Sequence, residues 1–171
     1  MVLIRVYFSH RQHFIKKIFI FDFDAHHGNG TQEIFYHTNK VFYSSIHTLD
    51  FYPKTGLESE IGLADGMGCN LNVIVPRNID VISYLYFFEN KILAQIDNYK
   101  PDLILVSAGF DGLLTDPMKI MNLTPECYGM IVKKLVFFGI PVCLILEGGY
   151  NLQDLPICFD ICLKELASNY Y

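Results

Sequence analysis

Two carboxylates and two imidazoles directly follow an apolar run near residue 20 of this chain. The run IFIF at 18–21 leads into DFDAHH at 22–27. Asp24 and His26 are two positions apart, so their side chains leave an extended backbone on the same face. An oxygen donor and a nitrogen donor on one face suit a divalent metal ion, with zinc as the first choice. Taken alone, the two residues are equally compatible with a turn or a helix cap.

Two further apolar runs also end in polar side chains. The run at 103–106 leads to Asp111, and the run at 142–146 leads to Glu147, two glycines and Tyr150. If these runs are parallel strands, their carboxyl ends meet at one edge of the sheet, where α/β proteins bind ligands. Asp111 would then complete a three-ligand set with one position left for water, and the Tyr150 hydroxyl could donate a hydrogen bond to an oxyanion. Alone, Asp111 is more typical of a turn and Tyr150 of an aromatic anchor.

The rest of the chain alternates between strand-like and helix-like segments, which indicates a parallel sheet flanked by helices. The runs at 18–21, 103–106 and 142–146 lack polar alternation, so these strands are expected to be buried on both faces of the sheet. Asp80 is a candidate N-cap, Thr124 and Pro125 fit the start of a helix, and the stretch 48–68 is a long loop. The predicted strands are 17–23, 41–46, 69–75, 102–107 and 141–146, and the predicted helices are 30–36, 80–98, 124–138 and 152–167.

Composition limits the class of protein. The 171 residues are 51% hydrophobic, which excludes a disordered chain and fits one domain. The formal net charge of −5 gives no electrostatic reason to bind nucleic acid or an anionic membrane, whereas a basic substrate is compatible with it. The five cysteines form no CxxC pair, which favours a reducing compartment, the cytoplasm. The sequence has no apolar run of about 18 residues that would predict a membrane span.

Three motifs together resemble the zinc-dependent histone deacetylase family, which includes acetylpolyamine amidohydrolases and acetoin-utilisation proteins. They are DFDAHHGNGT at 22–31, SAGFD at 107–111 followed by DP at 116–117, and LEGGYNL at 146–152. Their order and spacing match, and the resemblance covers about residues 17–166. It implies a three-layer α/β fold of the arginase and deacetylase type, with a mainly parallel sheet between helices. It also implies hydrolysis of an acetyl-amide on a lysine or polyamine nitrogen.

The resemblance assigns catalytic roles by position in these motifs. Asp24, His26 and Asp111 correspond to the ligands of one Zn²⁺ ion. Tyr150 corresponds to the hydroxyl that polarises the amide carbonyl and stabilises the tetrahedral oxyanion. His27, which follows a ligand, is expected to make a structural hydrogen bond and not to bind the metal.

Further roles concern the surroundings of the zinc ligands. Asp22 and Ser45 resemble residues that help to hold a structural monovalent cation, K⁺. Tyr52 and Gly149 correspond to positions along the substrate channel, so the implied partners are acetylated lysine and acetylpolyamine. Lys54 stands where the family commonly has glycine, which would alter the mouth of that channel.

One part of the family's machinery has no counterpart here. The family takes its general base from a tandem histidine pair in a Gly-His-His setting, and no such pair precedes Asp22; His10 and His13 lack that setting. Residues 1–171 therefore resemble one partial domain, incomplete on its N-terminal side, with 1–16 as an extension of unassigned structure. A fragment, one half of a split enzyme with a separately encoded N-terminal half, and a catalytically inactive remnant or binding module all fit the sequence.

Overall fold

Five parallel strands form one sheet in the computed structural model, which describes residues 15–168. The strand that leads to Asp24 and His26 lies at the centre, because the order across the sheet is β3-β2-β1-β4-β5. All five predicted strands are confirmed, with ends that differ from the prediction by no more than one residue. The strands are β1 (Ile18–Asp22), β2 (Val41–His47), β3 (Asn70–Ile74), β4 (Leu103–Ala108) and β5 (Val142–Leu146).

Helices flank this sheet, so the predicted α/β class with a parallel sheet between helices is confirmed. The helices predicted at 30–36 and 124–138 are present with small changes at their ends. The α-helices are α1 (Asn29–Phe35), α2 (Val81–Phe87), α3 (Ala94–Tyr99), α4 (Pro125–Val136) and α5 (Leu155–Ala167), and a short 3-10 helix, Ala64–Gly66, lies in the loop before β3.

The helix predicted over 80–98 is present from Val81 to Tyr99, but it is not α-helical throughout. A π-helical segment, Phe88–Leu93, joins α2 to α3. Phe88 and Ile92 within this segment are fully buried, so the helical spacing of apolar residues continues through it. The apolar pattern therefore predicts a helix correctly but does not reveal the wider turn.

The last helix, predicted at 152–167, is present, but α5 begins three residues later, at Leu155. The Asn151 side chain accepts hydrogen bonds from the backbone amides of Gln153 and Asp154, at 3.0 and 3.2 Å. Such a bond from an asparagine to the backbone two residues on stabilises a turn in place of helix. The predicted N-cap at Asp80 is confirmed, since its carboxylate accepts from the Ser83 amide at 2.8 Å.

Apolar residues of β1 and β4 are buried on both faces of the sheet, as the absence of polar alternation in these runs predicts. Most residues of β5, also predicted to be buried, are half-buried or exposed, because β5 lies at the edge of the sheet. On one face, Phe19 and Phe21 of β1 belong to a large core that includes residues of α2 to α5. On the other face, Ile18 and Ile20 belong to a smaller core, against which Phe35 of α1 packs. The central strand is therefore fixed from both sides, which holds its carboxyl end in place.

Phe23 links the large core to the residues that follow β1. Its ring is fully buried, with centroid distances of 5.5 Å to Phe110 and 5.1 Å to Tyr128. We expect Phe23→Ala to lower the free energy of unfolding by about 3–5 kcal/mol, because it removes a buried ring and leaves a cavity. Urea unfolding followed by circular dichroism measures this loss. Phe137→Ala is the control, since that ring is 91% exposed; equal losses in both variants would contradict the assignment of Phe23 to the core.

Residues 1–14 of the predicted N-terminal extension, 1–16, lie outside the described residues. The assignment of the chain to a single partial domain stays a prediction. The backbone amides of Lys16 and Lys17 donate to the Asp102 carboxylate at 2.7 and 2.9 Å, which ties the segment before β1 to the start of β4. Within the described part of the chain, no helix has both the length and the apolar character needed to cross a membrane.

Candidate metal centre

Three side chains converge at the carboxyl edge of the sheet. Asp24 and His26 follow β1, and Asp111 follows the neighbouring strand β4. One potential ligand atom from each residue lies within 4.8 Å of the others. The His26 Nδ1 atom is 2.6 Å from Asp111 Oδ2 and 3.1 Å from Asp24 Oδ1. The structure thus brings together the three residues that the sequence predicts as one set.

Backbone amides fix the two carboxylates. Asp111 is buried, and its Oδ1 accepts from the Ala25 amide at 2.9 Å, which leaves Oδ2 facing His26. Asp24 Oδ1 accepts from the His26 amide at 2.8 Å, and the Asp24 amide itself donates to Asp22 Oδ1 at 3.1 Å. The turn after β1 is therefore folded around its own carboxylates, and both acidic groups are oriented before any ligand is bound.

The electrostatics of the three groups favour a cation between the carboxylates. Hydrogen bonds to Asp111 and Asp24 raise the pKa of His26 to about 10. Burial raises the pKa of Asp24 to about 6. Burial also acts to raise the pKa of Asp111, yet its hydrogen bonds with His26 and the Ala25 amide hold that pKa below its ordinary value. A proton on the imidazole supplies the positive charge in the structure, and a divalent metal ion could supply it instead.

Two glycines allow the chain to pass close to these ligand atoms. A Cβ on Gly109 would overlap the Asp24 carboxylate. A Cβ on Gly148 would stand 2.9 Å from Asp24 Oδ2, 3.6 Å from Asp111 Oδ2 and 3.7 Å from the Tyr150 hydroxyl oxygen. These three oxygens therefore face a common point beside Gly148. One nitrogen and two carboxylate oxygens in this arrangement fit the donor set of zinc with an open fourth position.

Tyr150 stands at the same edge with its ring 55% exposed. Partial burial and the charges of Asp111 and Asp24 raise the pKa of its hydroxyl, so the group stays protonated and can donate a hydrogen bond. It lines a cavity of about 470 Å³ that also contains the Asp24 and His26 side chains. Other residues on the wall of this cavity are Asp22, His27, Gly28, Thr31, Tyr52, Ser107, Met118 and Glu147.

Asp22, the predicted neighbour of a monovalent cation, is buried at the end of β1, two residues before Asp24. Burial and the charge of Asp24 raise its pKa well above the ordinary value. The Tyr43 hydroxyl donates to Asp22 Oδ2 at 3.0 Å and accepts from the Gly28 amide at 3.0 Å. Sequence reasoning missed Tyr43, because a tyrosine within an apolar strand has the pattern of a core residue. The register of β2 on β1 brings it into contact with the carboxylate.

Ser45 lies level with Asp22 in the neighbouring strand, but its hydroxyl bonds to His47. The Ser45 Oγ to His47 Nδ1 distance is 2.9 Å, and His47 Nε2 is 3.0 Å from the Gly56 carbonyl oxygen. Burial lowers the pKa of His47 to about 4, so the ring is neutral: Nε2–H donates to Gly56 and Nδ1 accepts from Ser45. This pairing holds the loop after β2 against the sheet.

His27 makes structural hydrogen bonds, as predicted. Its Nδ1 is 2.8 Å from Thr55 Oγ1, and its Nε2 is 3.0 Å from Gln32 Oε1. The same Gln32 oxygen accepts from the side-chain amides of Asn70 and Asn72, at 2.9 and 2.8 Å. A buried polar network thus anchors α1 to β3 beside the site, and nothing in the apolar pattern of the sequence indicates it.

The two predicted channel residues occupy different positions. Tyr52 lies on the wall of the cavity with its ring 77% exposed. Gly149 lies in the turn before Tyr150 at a φ of +122°, a conformation that favours glycine. A Cβ there would meet Phe110 at 3.0 Å and Leu155 at 3.1 Å. Gly149 thus packs against the core, and Tyr150 follows it onto the cavity wall.

Comparison with known protein families and proteins finds matches to histone deacetylases. The model of the histone deacetylase domain matches residues 1–166. Histone deacetylase 14, chloroplastic, of Arabidopsis thaliana is 40% identical over 152 residues, which are 86% of this chain and 36% of that protein. An uncharacterized protein of Synechocystis is 40% identical over 152 residues, 89% of this chain and 49% of the relative. The chain thus spans less than half the length of these curated relatives.

Solved structures agree with these relatives. Acetylpolyamine aminohydrolase from Burkholderia pseudomallei superposes with a TM-score of 0.86 at 28% identity, over 91% of this chain and 46% of that one. The HD domain of HDA15 superposes with a TM-score of 0.87 at 35% identity, over 92% of this chain and 46% of that one. The predicted deacetylase-type fold is therefore confirmed, and the chain belongs to the histone deacetylase domain family.

Proposed function

We propose that this chain provides the zinc-binding part of a deacetylase site that hydrolyses acetyl-amides on lysine or polyamine nitrogens. The observation that carries the proposal is the convergence of Asp24, His26 and Asp111 beside the Tyr150 hydroxyl, in a chain of the deacetylase family. Acetylpolyamine aminohydrolase and histone deacetylases among its relatives name the two substrate classes.

The residues present have defined tasks in such a reaction. When bound, Zn²⁺ acts as a Lewis acid on the acetamide carbonyl and lowers the pKa of its bound water. Asp24, His26 and Asp111 would hold it, the imidazole through Nδ1 after loss of its proton. The protonated Tyr150 hydroxyl donates a hydrogen bond to the carbonyl oxygen as negative charge develops on it. Tyr52 on the cavity wall would provide an aromatic surface along the alkyl chain that carries the acetylated nitrogen.

A monovalent cation, K⁺, beside Asp22 is part of the same proposal. Asp22 is a buried carboxylate, and no Lys, Arg or His side chain within residues 15–168 forms an ion pair with it. Burial raises the pKa of Asp22 because an unpaired charge is costly there, and a small cation would stabilise the charged form. Ser45 of β2 lies level with Asp22 of β1, although the Ser45 hydroxyl is hydrogen-bonded to His47. We also place the protein in the cytoplasm, because all five cysteines are free thiols.

The 171 residues do not contain the histidine pair from which the family takes its general base. Whether another segment supplies that base decides between two functions. No Gly-His-His segment occurs in the 171 residues, and loss of general acid–base catalysis lowers turnover by about two to four orders of magnitude. We propose that a further N-terminal segment, in the same protein or separately encoded, supplies the base. The outer edge of β5 supports a docking partner: within residues 15–168 this strand pairs only with β4, and its Leu146 side chain is 46% exposed. The second candidate is a metal-binding module without turnover.

The proposal is tested with the purified, zinc-loaded chain. Zinc content is measured by elemental analysis, and turnover with an acetyl-lysine peptide and an acetylated polyamine. Each assay is run alone and with the segment of the Synechocystis relative that this chain does not cover. Turnover that depends on that segment and is lost in Tyr150→Phe supports a deacetylase site that a further N-terminal segment completes. Zinc binding without turnover in either assay favours the binding module, and absence of zinc binding refutes both.

Zinc affinity is expected to depend strongly on pH. Since the pKa of His26 is about 10 without metal, the imidazole is protonated at pH 7–9 and must lose that proton when zinc binds. Apparent zinc affinity should therefore rise about tenfold per pH unit in this range, with about one proton released. Calorimetry in buffers of different ionisation enthalpy measures the released proton. An affinity that does not change between pH 7 and 9 would contradict coordination through His26, and His26→Gln should abolish the dependence.

A further inference from the structure

Asp116 is a fully buried carboxylate that accepts two backbone hydrogen bonds. Its Oδ2 accepts from the Tyr150 amide at 2.7 Å, and its Oδ1 accepts from the Met118 amide at 2.8 Å. No Lys, Arg or His side chain within residues 15–168 forms an ion pair with it. A buried carboxylate depends on such charge-assisted bonds, because each one offsets part of the cost of leaving water. Asp116 therefore fixes both amides at once.

Both residues that Asp116 holds lie on the wall of the cavity at the metal centre. Tyr150 and Met118 come from different segments of the chain, one after β5 and the other from the loop that follows Asp111. Within residues 15–168 the Tyr150 hydroxyl makes no hydrogen bond, and its ring is half exposed. The position of that ring is thus set mainly by its backbone, and Asp116 holds the backbone at the Tyr150 nitrogen.

Outer hydrogen bonds join the same two segments. The Asn151 side-chain amide donates to the Thr115 carbonyl oxygen at 3.0 Å, and the Thr115 hydroxyl donates to Asp154 Oδ2 at 2.5 Å. These bonds lie at exposed or half-exposed positions, whereas Asp116 is inside. The Asp116 carboxylate is shielded from water and its bonds to backbone amides are charge-assisted, so we expect Asp116 to be the stronger of the links.

We propose that Asp116 is a positioning residue that sets where the Tyr150 hydroxyl stands relative to the metal ligands and to Met118 across the cavity. The inference rests on the proposed function, because it gives Tyr150 a task at the substrate carbonyl. Displacement of a reacting group by about 1 Å is enough to cost about 100-fold in rate. Loss of the hydrogen bond between the Tyr150 amide and Asp116 should therefore displace Tyr150 and leave the metal ligands in place.

The first test measures backbone amide exchange and needs neither zinc nor turnover. In the wild-type chain we expect slow exchange at Tyr150 and Met118. In Asp116→Asn we expect amide exchange about 100-fold faster at one or both residues. The asparagine side chain has one accepting oxygen, and its NH₂ group cannot accept a hydrogen bond from the second backbone N–H. Asp160→Asn, at an exposed carboxylate paired with Lys164, is the control. Unchanged exchange at both amides overturns the proposal.

The second test is a double-mutant cycle on the zinc-loaded chain, with acetohydroxamate as a small metal-chelating probe that presents an oxygen to Tyr150. We expect Asp116→Asn and Tyr150→Phe each to weaken probe binding about tenfold. The double variant should bind the probe no more weakly than either single variant. Zinc content should stay at one ion per chain in all variants. Additive losses, or loss of zinc in Asp116→Asn, would show a general structural role and overturn the proposal.

The two tests separate this inference from the proposed function. If the wild-type chain binds no zinc, the proposed function fails, and amide exchange still decides on Asp116. If Asp116→Asn does not fold, Thr115→Val and Asn151→Ala take its place, because they cut the outer bonds and keep the carboxylate. Slow exchange at Tyr150 in these variants supports Asp116 as the inner link. Fast exchange there would assign control of Tyr150 to the outer bonds and overturn the proposal.

Discussion

Asp111→Asn is expected to lower zinc affinity by at least about 100-fold, which corresponds to about 2.7 kcal/mol. Asp111 Oδ2 lies 2.6 Å from His26 Nδ1, in the position of an oxygen ligand, while Oδ1 accepts from the Ala25 amide. Asparagine keeps an oxygen for the backbone bond but removes the negative charge that a divalent ion requires. The fold should survive, because shape and the main backbone contact are retained. Titration in a zinc buffer measures the affinity, and circular dichroism checks the fold.

Asp102→Asn is the matched control for this substitution. The Asp102 carboxylate also accepts from two backbone amides, those of Lys16 and Lys17, but it does so at the opposite end of the sheet. We expect the control to change zinc affinity by less than about twofold, since it lies far from the cluster. Wild-type affinity in Asp111→Asn would show that the three-residue cluster is not the zinc site. Equal losses of zinc affinity in both variants would indicate that the affinity depends on the integrity of the whole fold and not on the Asp111 carboxylate.

The part of the site that the sequence predicts depends on side-chain type and strand position alone. Asp24, His26 and Asp111 are polar residues at the ends of apolar runs, and parallel strands necessarily bring such ends to one edge. The same reasoning indicates the sheet, because unbroken apolar runs that alternate with helical segments are typical of buried parallel strands. Chemistry and topology at this level follow from the order of residues along the chain.

The features that the sequence does not reveal depend on contacts between distant segments. Tyr43 has the pattern of a core residue, and only the register of two strands brings its hydroxyl to Asp22. Asp116 belongs to a recognisable motif, yet its bond to the Tyr150 amide joins positions 34 residues apart. The π-helical segment Phe88–Leu93 retains helical spacing of apolar residues. Pairings of this kind are decided by packing, which a one-dimensional pattern does not contain.

Gly148→Ala is expected to have an effect on zinc binding as large as the loss of a ligand, although glycine has no donor atom. A Cβ at this position would stand 2.9 Å from Asp24 Oδ2 and 3.6 Å from Asp111 Oδ2, inside the space that these oxygens face. The methyl group should therefore displace the Asp24 carboxylate or occupy the fourth position of the metal. We expect zinc affinity to fall by at least about 100-fold, because metal binding requires ligand distances within about 0.2 Å. Gly30→Ala is the control, since a Cβ there meets no atom within 4 Å. If Gly148→Ala binds zinc as tightly as Gly30→Ala, the metal does not lie at the point that these oxygens face.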